Sequence, residues 1–315
     1  MAGIVIKGTG KATGECSVSN DRLAETVDTS DSWIRQKTGI RSRYFAKEKN
    51  NRNMACEAAE KAVKNSGINK EDIELVIVAT FTPDDKTPAT ACNVAEALGL
   101  SEKVTAFDLN GACAGFIYGC MTAEGFLQKE PDKYALVIGS EKISPNMDMN
   151  DRTTCVLFGD GAGAAILGYD QNAEFTFAGG GRHERDTLYC EGQGKINMAG
   201  QEVYRFAVEA VPVCIKNVAC KAGLTYEDID YFVCHQANER IIDHVARRTK
   251  ADKNKFYKNL YNYGNTSAAS IPIALSDMND EGLLKNGTRL LCTGFGAGLT
   301  YGGMLIEYRG NKDEN

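Results

Sequence analysis

The sequence predicts an α/β fold made of two similar halves, and two observations support that prediction. Short apolar runs typical of buried strands alternate with longer helical runs along the 315 residues, which is the pattern of α/β domains. A second pattern recurs about half a chain length later. Gly67 closes a helical run before the acidic turn 71–74, and Gly223 closes another before the acidic turn 227–230. The repeat indicates an internal duplication, with the functional site expected between the halves.

Each predicted element is an apolar run bounded by turn residues. After a first strand near the N-terminus, the predicted strands are 75–80, 104–109, 134–139, 164–168, 231–235, 289–293 and 304–308. The predicted helices are 53–66, 90–98, 114–127, 203–221, 238–248 and 267–280. The helices 114–127 and 267–280 take corresponding places in the two halves, and their small residues would let them approach closely.

Composition argues against several classes of protein. The net charge of −6 does not favour broad nucleic-acid binding. No apolar run reaches the length of a membrane span, and the N-terminal segment lacks the basic region and cleavage site of a secretory signal. The 11 cysteines are scattered, odd in number and without a CxxC pair, which indicates reduced thiols and not a disulfide frame or zinc site. We therefore expect a cytoplasmic protein.

Cys113 is the strongest candidate for a catalytic group. It follows the strand 104–109 after a turn of small residues and starts a helix. Unpaired N–H groups and the positive end of the helix dipole are expected to favour its thiolate there. An inert buried cysteine is the alternative from residue type alone. Two downstream segments, CHQAN at 234–238 and GNTSA at 264–268, add an imidazole and an amide.

His235 is the favoured catalytic histidine among only three. His183 lies in a polar loop, and His244 lies on a helix beside Arg247. A satisfied core histidine is the alternative for His235. For Asn265, taken alone, a turn or helix-capping role is the commoner one.

The glycine-rich segment GDGAG at 159–163 resembles a nucleotide-binding loop. A strand and not a helix is predicted to follow it, at 164–168, and the mechanism of phosphate binding needs the helix. We interpret the segment as a tight structural turn.

Five segments in order resemble the β-ketoacyl-acyl carrier protein synthase III family, which has the thiolase fold. They are DLNGACAGF (108–116), DRTTCVLFGDGAGAA (151–165), HQAN (235–238), GNTSAAS (264–270) and GFGAGLTYGG (294–303). The resemblance runs from residue 27 to the C-terminal strand. It implies an α/β, thiolase-like fold of two duplicated βαβαβαββ halves in five α-β-α-β-α layers. Residues 1–170 would carry the nucleophilic cysteine, and 171–315 the histidine and asparagine.

The resemblance assigns Cys113 as nucleophile, with His235 and Asn265 completing a triad. A thiolate can store an acyl group as a thioester, which splits a hard condensation into two steps. Decarboxylation of a malonyl group then leaves an enolate oxygen, which the imidazole and amide would stabilise by hydrogen bonds. The backbone N–H groups of Cys113 and Ala297 would form the oxyanion hole, where the family has three successive glycines and this chain has Gly-Ala-Gly.

The resemblance also implies a coenzyme A site at Trp33, Lys37, Arg152 and Asn238. Trp33 and Arg152 would sandwich the adenine by stacking and cation–π contact. Lys37 stands where the family has an arginine, so it keeps the charge and loses the bidentate fork. A partly buried anchor at a helix start is the alternative for Trp33.

Thr87 and Phe295 are the expected acyl-pocket residues. In the family a residue of the partner subunit caps this pocket, and phenylalanine there favours short primers. Thr87 takes that place here, so we expect longer or branched acyl-CoA primers to be tolerated. Docking of the acidic carrier protein is expected at four arginines, for which a solvated helix face is the alternative: Arg205, Arg240, Arg247 and Arg248.

These inferences predict a homodimeric, initiating condensing enzyme of fatty-acid synthesis. It would convert an acyl-CoA primer and malonyl-acyl carrier protein into 3-oxoacyl-acyl carrier protein, CoA and CO2. No metal or redox cofactor is expected, since coenzyme A enters with the substrate. A related enzyme of secondary metabolism is the first alternative, and a non-catalytic thiolase-fold subunit is a distant one.

Overall fold

The computed structural model describes residues 2–310. Its α-helices are α1 (Asn20–Ala24), α2 (Asp31–Thr38), α3 (Asn51–Ser66), α4 (Thr90–Leu98), α5 (Gly115–Leu127), α6 (Gly200–Lys221), α7 (Glu239–Thr249), α8 (Leu260–Tyr263) and α9 (Ser270–Asp280). Its strands are β1 (Gly3–Thr13), β2 (Cys16–Ser19), β3 (Ser42–Phe45), β4 (Ile73–Ala79), β5 (Thr105–Leu109), β6 (Tyr134–Glu141), β7 (Gly161–Asp170), β8 (Thr176–Gly181), β9 (Leu188–Cys190), β10 (Ile196–Met198), β11 (Tyr231–Cys234), β12 (Thr288–Gly296) and β13 (Thr300–Tyr308).

The main sheet consists of two sets of strands with the same pattern. The first set runs β1-β7-β6-β4-β5, with β4 parallel to β5 and β6, and β7 antiparallel to its neighbours. The second set runs β8-β13-β12-β11, with β11 parallel to β12, and β13 antiparallel to its neighbours. A single parallel bridge between Phe232 and Phe256 stands where the first set has β5. A short parallel pairing of β1 with β13 joins the sets.

Helices cover both outer faces and fill the space between the sets. α3 and α4 pack on the first set, and α6 packs on the second with α7 beside it. α5 touches β4 and β6 on one side and β12 and β13 on the other, while α9 touches β1, β7 and β11. This arrangement confirms the five α-β-α-β-α layers expected from the sequence.

The duplication extends to backbone conformation. Gly67 after α3 and Gly223 after α6 both adopt left-handed geometry, with φ of 62° and 67°, which glycine adopts without steric cost. Ala112 and Ser267 have φ of 45° and 49°. Ala112 is the first residue of the 3-10 turn that leads into α5, and Ser267 is the first residue of the one that leads into α9. The halves thus repeat in detail, while the boundary near residue 170 stays a prediction.

The structure differs from the predicted elements mainly where local signals are weak. The helix predicted at 267–280 starts only at Ser270, because the positive φ of Ser267 cannot belong to an α-helix. Within the GDGAG segment, β7 already starts at Gly161. Asp160 before it accepts hydrogen bonds from the backbone of Ala46 and Ile143, so the segment is structural. The strands β2, β3, β8, β9 and β10 were not predicted, since they are short or glycine-rich.

Candidate active site

The nucleophile candidate lies on a sharp turn between β5 and α5. Gly111 to Ala114 form the turn, and the left-handed Ala112 directly precedes Cys113. A non-glycine residue in that conformation carries strain of about 1–3 kcal/mol, which surrounding structure must hold in place. The turn sets the Cys113 side chain, which is 9% exposed, where two cavities meet.

The first cavity, of about 550 Å³, joins the three triad candidates to the predicted coenzyme A site. Cys113, His235 and Asn265 all line it. Trp33, Lys37, Arg152 and Asn238 line it as well. The second cavity, of about 490 Å³, also contains Cys113 in its wall, and its other lining is largely apolar, including Phe81, Phe158, Leu188 and Ile196. A thiol at this junction can react with a ligand bound in either cavity.

His235 is held rigidly at the end of β11. Its backbone N–H donates to the Thr293 carbonyl at 2.7 Å, and its ring packs edge-on against Phe295 with centroids 5.2 Å apart. Its Nδ1 lies 2.6 Å from the Ser270 hydroxyl, which also accepts the Gln236 N–H. Because the Ser270 proton is then free for Nδ1, this pairing favours the tautomer with its proton on Nε2. Burial lowers the pKa of His235 to about 3, so the ring is neutral.

Asn265 is fixed by backbone pairing to the segment before β7. Its N–H donates to Leu157 at 2.8 Å, and its carbonyl accepts from Gly159 at 3.0 Å. The side-chain Oδ1 accepts the Ser267 N–H at 2.8 Å. This bond settles the amide orientation and leaves the Nδ2 donor for the cavity that Asn265 lines.

The expected thiolate at Cys113 is not what the structure favours. Burial raises the pKa of the Cys113 thiol to about 12, and the charge of Glu141 adds to the rise, although a hydrogen bond with Ser267 opposes it. Desolvation of the anion therefore outweighs the favourable helix N-terminus. The resting group is a thiol, and a proton must leave it when it reacts.

The C-terminal end of β12 packs its backbone directly against the nucleophile. A Cβ added to Gly296 would lie 2.9 Å from the Cys113 nitrogen and 3.3 Å from its Sγ, so only glycine fits. Gly298 takes the left-handed conformation, with φ of 130°, and Ala297 does not. The alanine in place of the family's middle glycine is therefore unstrained. Ala297 lines the second cavity with Cys113, and their oxyanion hole stays a prediction.

The four predicted coenzyme A residues all line the first cavity. Trp33 sits in the first turn of α2, where its N–H donates to the Ser30 cap. The Arg152 guanidinium lies 5.4 Å from the Trp33 ring centroid. Asn238 caps α7, and its amide donates to the Lys37 carbonyl at 3.1 Å. Asn238 thus joins α2 to α7 in the wall of the first cavity.

Other predicted residues lie elsewhere. Thr87 is on an exposed loop and lines neither cavity of its own chain. Phe295 lines the first cavity and not the second. The docking candidates on α6 and α7 are all exposed, and Arg248 also donates to the Val208 carbonyl at 3.2 Å; they are Arg205, Arg240, Arg247 and Arg248.

Three polar residues of the site were missed from the sequence. Ser267 and Ser270 lie within the GNTSAAS segment. Asking which hydroxyl groups of this motif could hydrogen-bond to a triad residue could have suggested both of them. Glu141 ends β6, far from every motif in the chain. No sequence signal links it to Cys113 or to Ser267, since only the folded chain brings these residues close together.

The fold and this site define a condensing acyltransferase of the thiolase fold. Family models for 3-oxoacyl-(acyl-carrier-protein) synthase III match residues 107–179 and, for its C-terminal part, 220–308. The chain is 43% identical to β-ketoacyl-(acyl-carrier-protein) synthase III of Clostridium novyi, over 98% of this chain and 100% of that protein. The chain belongs to the β-ketoacyl-acyl carrier protein synthase III family.

Solved structures agree with this membership. The 3-oxoacyl-(acyl-carrier-protein) synthase III of Aquifex aeolicus superposes with a TM-score of 0.93 at 39% identity, covering 97% of this chain and all of that one. The priming β-ketosynthase of the R1128 polyketide pathway superposes with a TM-score of 0.90 at 31% identity, covering 97% of this chain and 96% of that one. The fold is therefore shared with a 3-oxoacyl-(acyl-carrier-protein) synthase III and with a priming ketosynthase of a polyketide pathway.

Proposed function

We propose that this chain carries out the initiating condensation of fatty-acid synthesis, with Cys113 as the acyl acceptor. The meeting of two cavities at Cys113, beside His235 and Asn265, is the observation that supports these roles best. The substrates would be an acyl-CoA primer and malonyl-acyl carrier protein. The products would be 3-oxoacyl-acyl carrier protein, CoA and CO2.

In the first half-reaction Cys113 attacks the primer thioester. The sulfur loses its proton and forms a bond to the acyl carbon, and the carbonyl oxygen takes up charge. The bond to the CoA sulfur then breaks, and CoA leaves as its thiol with one proton. Backbone N–H groups of Cys113 and Ala297 stabilise the charged oxygen. The acyl chain then occupies the second cavity, whose wall is mainly apolar.

In the second half-reaction the malonyl group enters through the first cavity. Loss of CO2 leaves an enolate whose oxygen receives hydrogen bonds from His235 Nε2 and Asn265 Nδ2. The imidazole is neutral, and Ser270 sets its tautomer. It therefore acts as a neutral hydrogen-bond donor to the enolate oxygen and not as a cationic acid. The enolate carbon attacks the acyl-cysteine and releases Cys113.

Coenzyme A would bind with its adenine between Trp33 and Arg152. Two stacked layers need about 3.5 Å each, whereas the guanidinium lies 5.4 Å from the ring centroid. The exposed Arg152 side chain must therefore swing outward to admit the base. Lys37 would interact with the phosphates as a point charge. Asn238 would hold α2 against α7 through its bond to the Lys37 carbonyl.

The carrier protein would dock beside the first cavity. Arg240 follows the Asn238 cap at the N-terminus of α7, next to the first cavity, which makes it the strongest docking candidate. Arg205, Arg247 and Arg248 extend the basic surface over α6 and α7. A homodimer would bring the partner's copy of the Thr87 loop towards the second cavity, and the small side chain would leave room for a longer primer.

A role in secondary metabolism is the second candidate, because the structure resembles a priming ketosynthase of a polyketide pathway. The similarity to the synthase III of Clostridium novyi favours fatty-acid synthesis instead. No helix of residues 2–310 is long and apolar enough to cross a membrane. Within the same residues no group of three acidic, histidine or cysteine side chains could hold a metal ion. Cytoplasmic location and independence of cofactors stay predictions.

A primer panel tests the proposal. The protein is incubated with malonyl-acyl carrier protein and acetyl-, isobutyryl- or hexanoyl-CoA, and the carrier-bound products are identified by mass. Formation of the matching 3-oxoacyl-carrier with release of CO2 supports the function. Absence of product from every primer would overturn it, and product from acetyl-CoA alone would overturn the primer preference.

A further inference from the structure

Arg43, in β3, is a fully buried arginine without an acidic partner. Its Nη1 donates to Asn20 Oδ1 at 2.8 Å and to the Val18 carbonyl at 3.3 Å, and its Nη2 donates to the Val156 carbonyl at 2.8 Å. Among residues 2–310 no carboxylate forms an ion pair with it. Burial lowers the pKa of Arg43 to about 10, so the guanidinium is still charged at neutral pH. Burying such a cation costs stability, and no role described above uses it.

The Val156 carbonyl belongs to the segment that holds the backbone of Asn265. In this segment Leu157 accepts the Asn265 N–H at 2.8 Å, and Gly159 donates to the Asn265 carbonyl at 3.0 Å. A parallel bridge pairs Phe158 with Asn265 between these two bonds. Because both bonds are made by the main chain, a displacement of the segment would displace Asn265 as well.

The aliphatic stem of Arg43 contacts the main chain on both sides of this pairing. A Cβ added to Gly159 would lie 3.0 Å from the Arg43 Cβ, and one added to Gly264 would lie 3.3 Å from it. Gly264 directly precedes Asn265 and has a φ of 67°. Both paired segments therefore pack directly on the Arg43 stem, and the bond from the guanidinium to Val156 adds a polar restraint to this packing.

Asn20 fixes the other side of the guanidinium, and it is fully buried too. Its Nδ2 donates to the Ile40 carbonyl at 2.8 Å and to Asp31 Oδ1 at 2.9 Å. Since both amide protons are donated, Oδ1 is the atom that accepts from Arg43. Asp31 starts α2, whose residues line the first cavity. Arg43 is thus anchored on one side to an element of the cavity wall and on the other to the segment that holds Asn265.

We propose that Arg43 is a positioning residue for Asn265. It holds the segment 156–159, and through this segment it keeps the Asn265 Nδ2 donor where the enolate oxygen forms. This inference rests on the role of Asn265 in decarboxylation proposed above. Arg43 lines neither cavity, so it acts only through its neighbours. Acylation of Cys113 does not use the Asn265 amide, and the effect of Arg43 therefore falls on the second half-reaction.

The two half-reactions of Arg43→Lys test the proposal. Lysine keeps the charge but loses the planar fork that reaches Asn20 and Val156 together. Acyl-enzyme formation at saturating acetyl-CoA is measured by quenched mass analysis, and malonyl decarboxylation by CO2 release. We expect acylation within about twofold of wild type and decarboxylation slower by roughly tenfold or more, because misplacing a reacting group slows its step steeply. Equal slowing of both half-reactions would show that Arg43 only supports the fold, and would overturn the proposal.

A double-mutant cycle tests whether Arg43 acts through the amide. In Asn265→Ala the positioned donor is absent, so adding Arg43→Lys should slow decarboxylation no further. Arg309→Lys is the control, because Arg309 also donates to a backbone carbonyl, that of Asn172, and lines neither cavity. It should leave decarboxylation unchanged in either background. If Arg43→Lys slows decarboxylation by the same factor with and without the Asn265 amide, the proposal is wrong.

Asn20→Ala decides the question if thermal unfolding shows that Arg43→Lys does not fold. This variant keeps the arginine and removes its amide acceptor, so it should slow decarboxylation selectively, by a smaller factor. A folded Asn20→Ala that decarboxylates at the wild-type rate would then contradict the proposal. If wild type forms no acyl-enzyme, or if Asn265→Ala decarboxylates as fast as wild type, the proposed function itself fails.

Discussion

The Nδ1 atom of His235 lies 2.6 Å from the Ser270 hydroxyl, in the first turn of α9. This contact links a strand end of the second half to the central helix of the same half, so the imidazole cannot turn independently of the core. Preorganised donors cost no reorganisation when charge develops in the reaction. Cys113 comes from the first half, in the turn that leads into the matching helix α5. The site is therefore assembled where the two central helices begin.

His235→Ala should separate the two half-reactions. The variant keeps Cys113 and its turn, so acyl-enzyme should still form from acyl-CoA. Malonyl decarboxylation should fall about 10²–10³-fold, because one donor to the enolate oxygen is lost. Acylation is followed by intact mass and decarboxylation by CO2 release. Decarboxylation at the wild-type rate would show that the donor role is misassigned.

The buried neutral His235 should also make the protein less stable in mild acid. Its folded pKa is about 3, below the ordinary 6.5, so between these values the unfolded state binds a proton that the folded state does not. Stability then falls as pH falls below 6.5, by about 2 kcal/mol between pH 6.5 and 5. Denaturant unfolding of wild type and His235→Asn at both pH values measures the difference. Equal pH dependence in the two proteins would contradict the buried neutral state.

Gly296→Ala should abolish activity while leaving the fold in place. The added methyl would meet the backbone nitrogen and Sγ of Cys113, and a shift of about 1 Å at a nucleophile can cost a hundredfold in rate. Gly125→Ala on α5 is the matched control, because its new methyl has no atom within 4 Å. Single-turnover acylation and thermal unfolding are measured for both. Full activity in Gly296→Ala would disprove the close approach of β12 to the thiol.

Arg152→Ala should weaken coenzyme A binding without slowing the chemistry. Loss of one cation–π partner at an exposed site should raise KM for acyl-CoA about two- to fivefold, while kcat changes little. Acylation by a short acyl thioester that lacks the nucleotide should be unaffected. Arg41→Ala removes a similar stacked arginine, 5.2 Å from Tyr261, and should leave KM unchanged. An equal effect of both variants would argue against the adenine sandwich.

The sequence predicted the fold well because its evidence is local. This evidence is the periodicity of the apolar residues and the recurrence of a helix-ending glycine at Gly67 and Gly223. It also grouped Cys113, His235 and Asn265, since each lies in a recognisable motif, and these three residues line one cavity in the structure. The thiolate expectation was wrong because burial, which no motif reveals, outweighs the helix N-terminus. Glu141 was missed for a related reason: it lies in no motif, and its neighbours Ser267 and Cys113 are distant from it in sequence.

Mapping the acyl group tests the central role of Cys113 most directly. The protein is incubated with isotopically labelled acetyl-CoA, digested at mildly acidic pH, and its peptides are identified by mass; malonyl-acyl carrier protein is then added to a parallel sample. We expect one labelled peptide, which carries a thioester at Cys113, is absent in Cys113→Ser and loses its label to product when the malonyl carrier is added. A label on another of the 11 cysteines, or one that survives the chase, would contradict it.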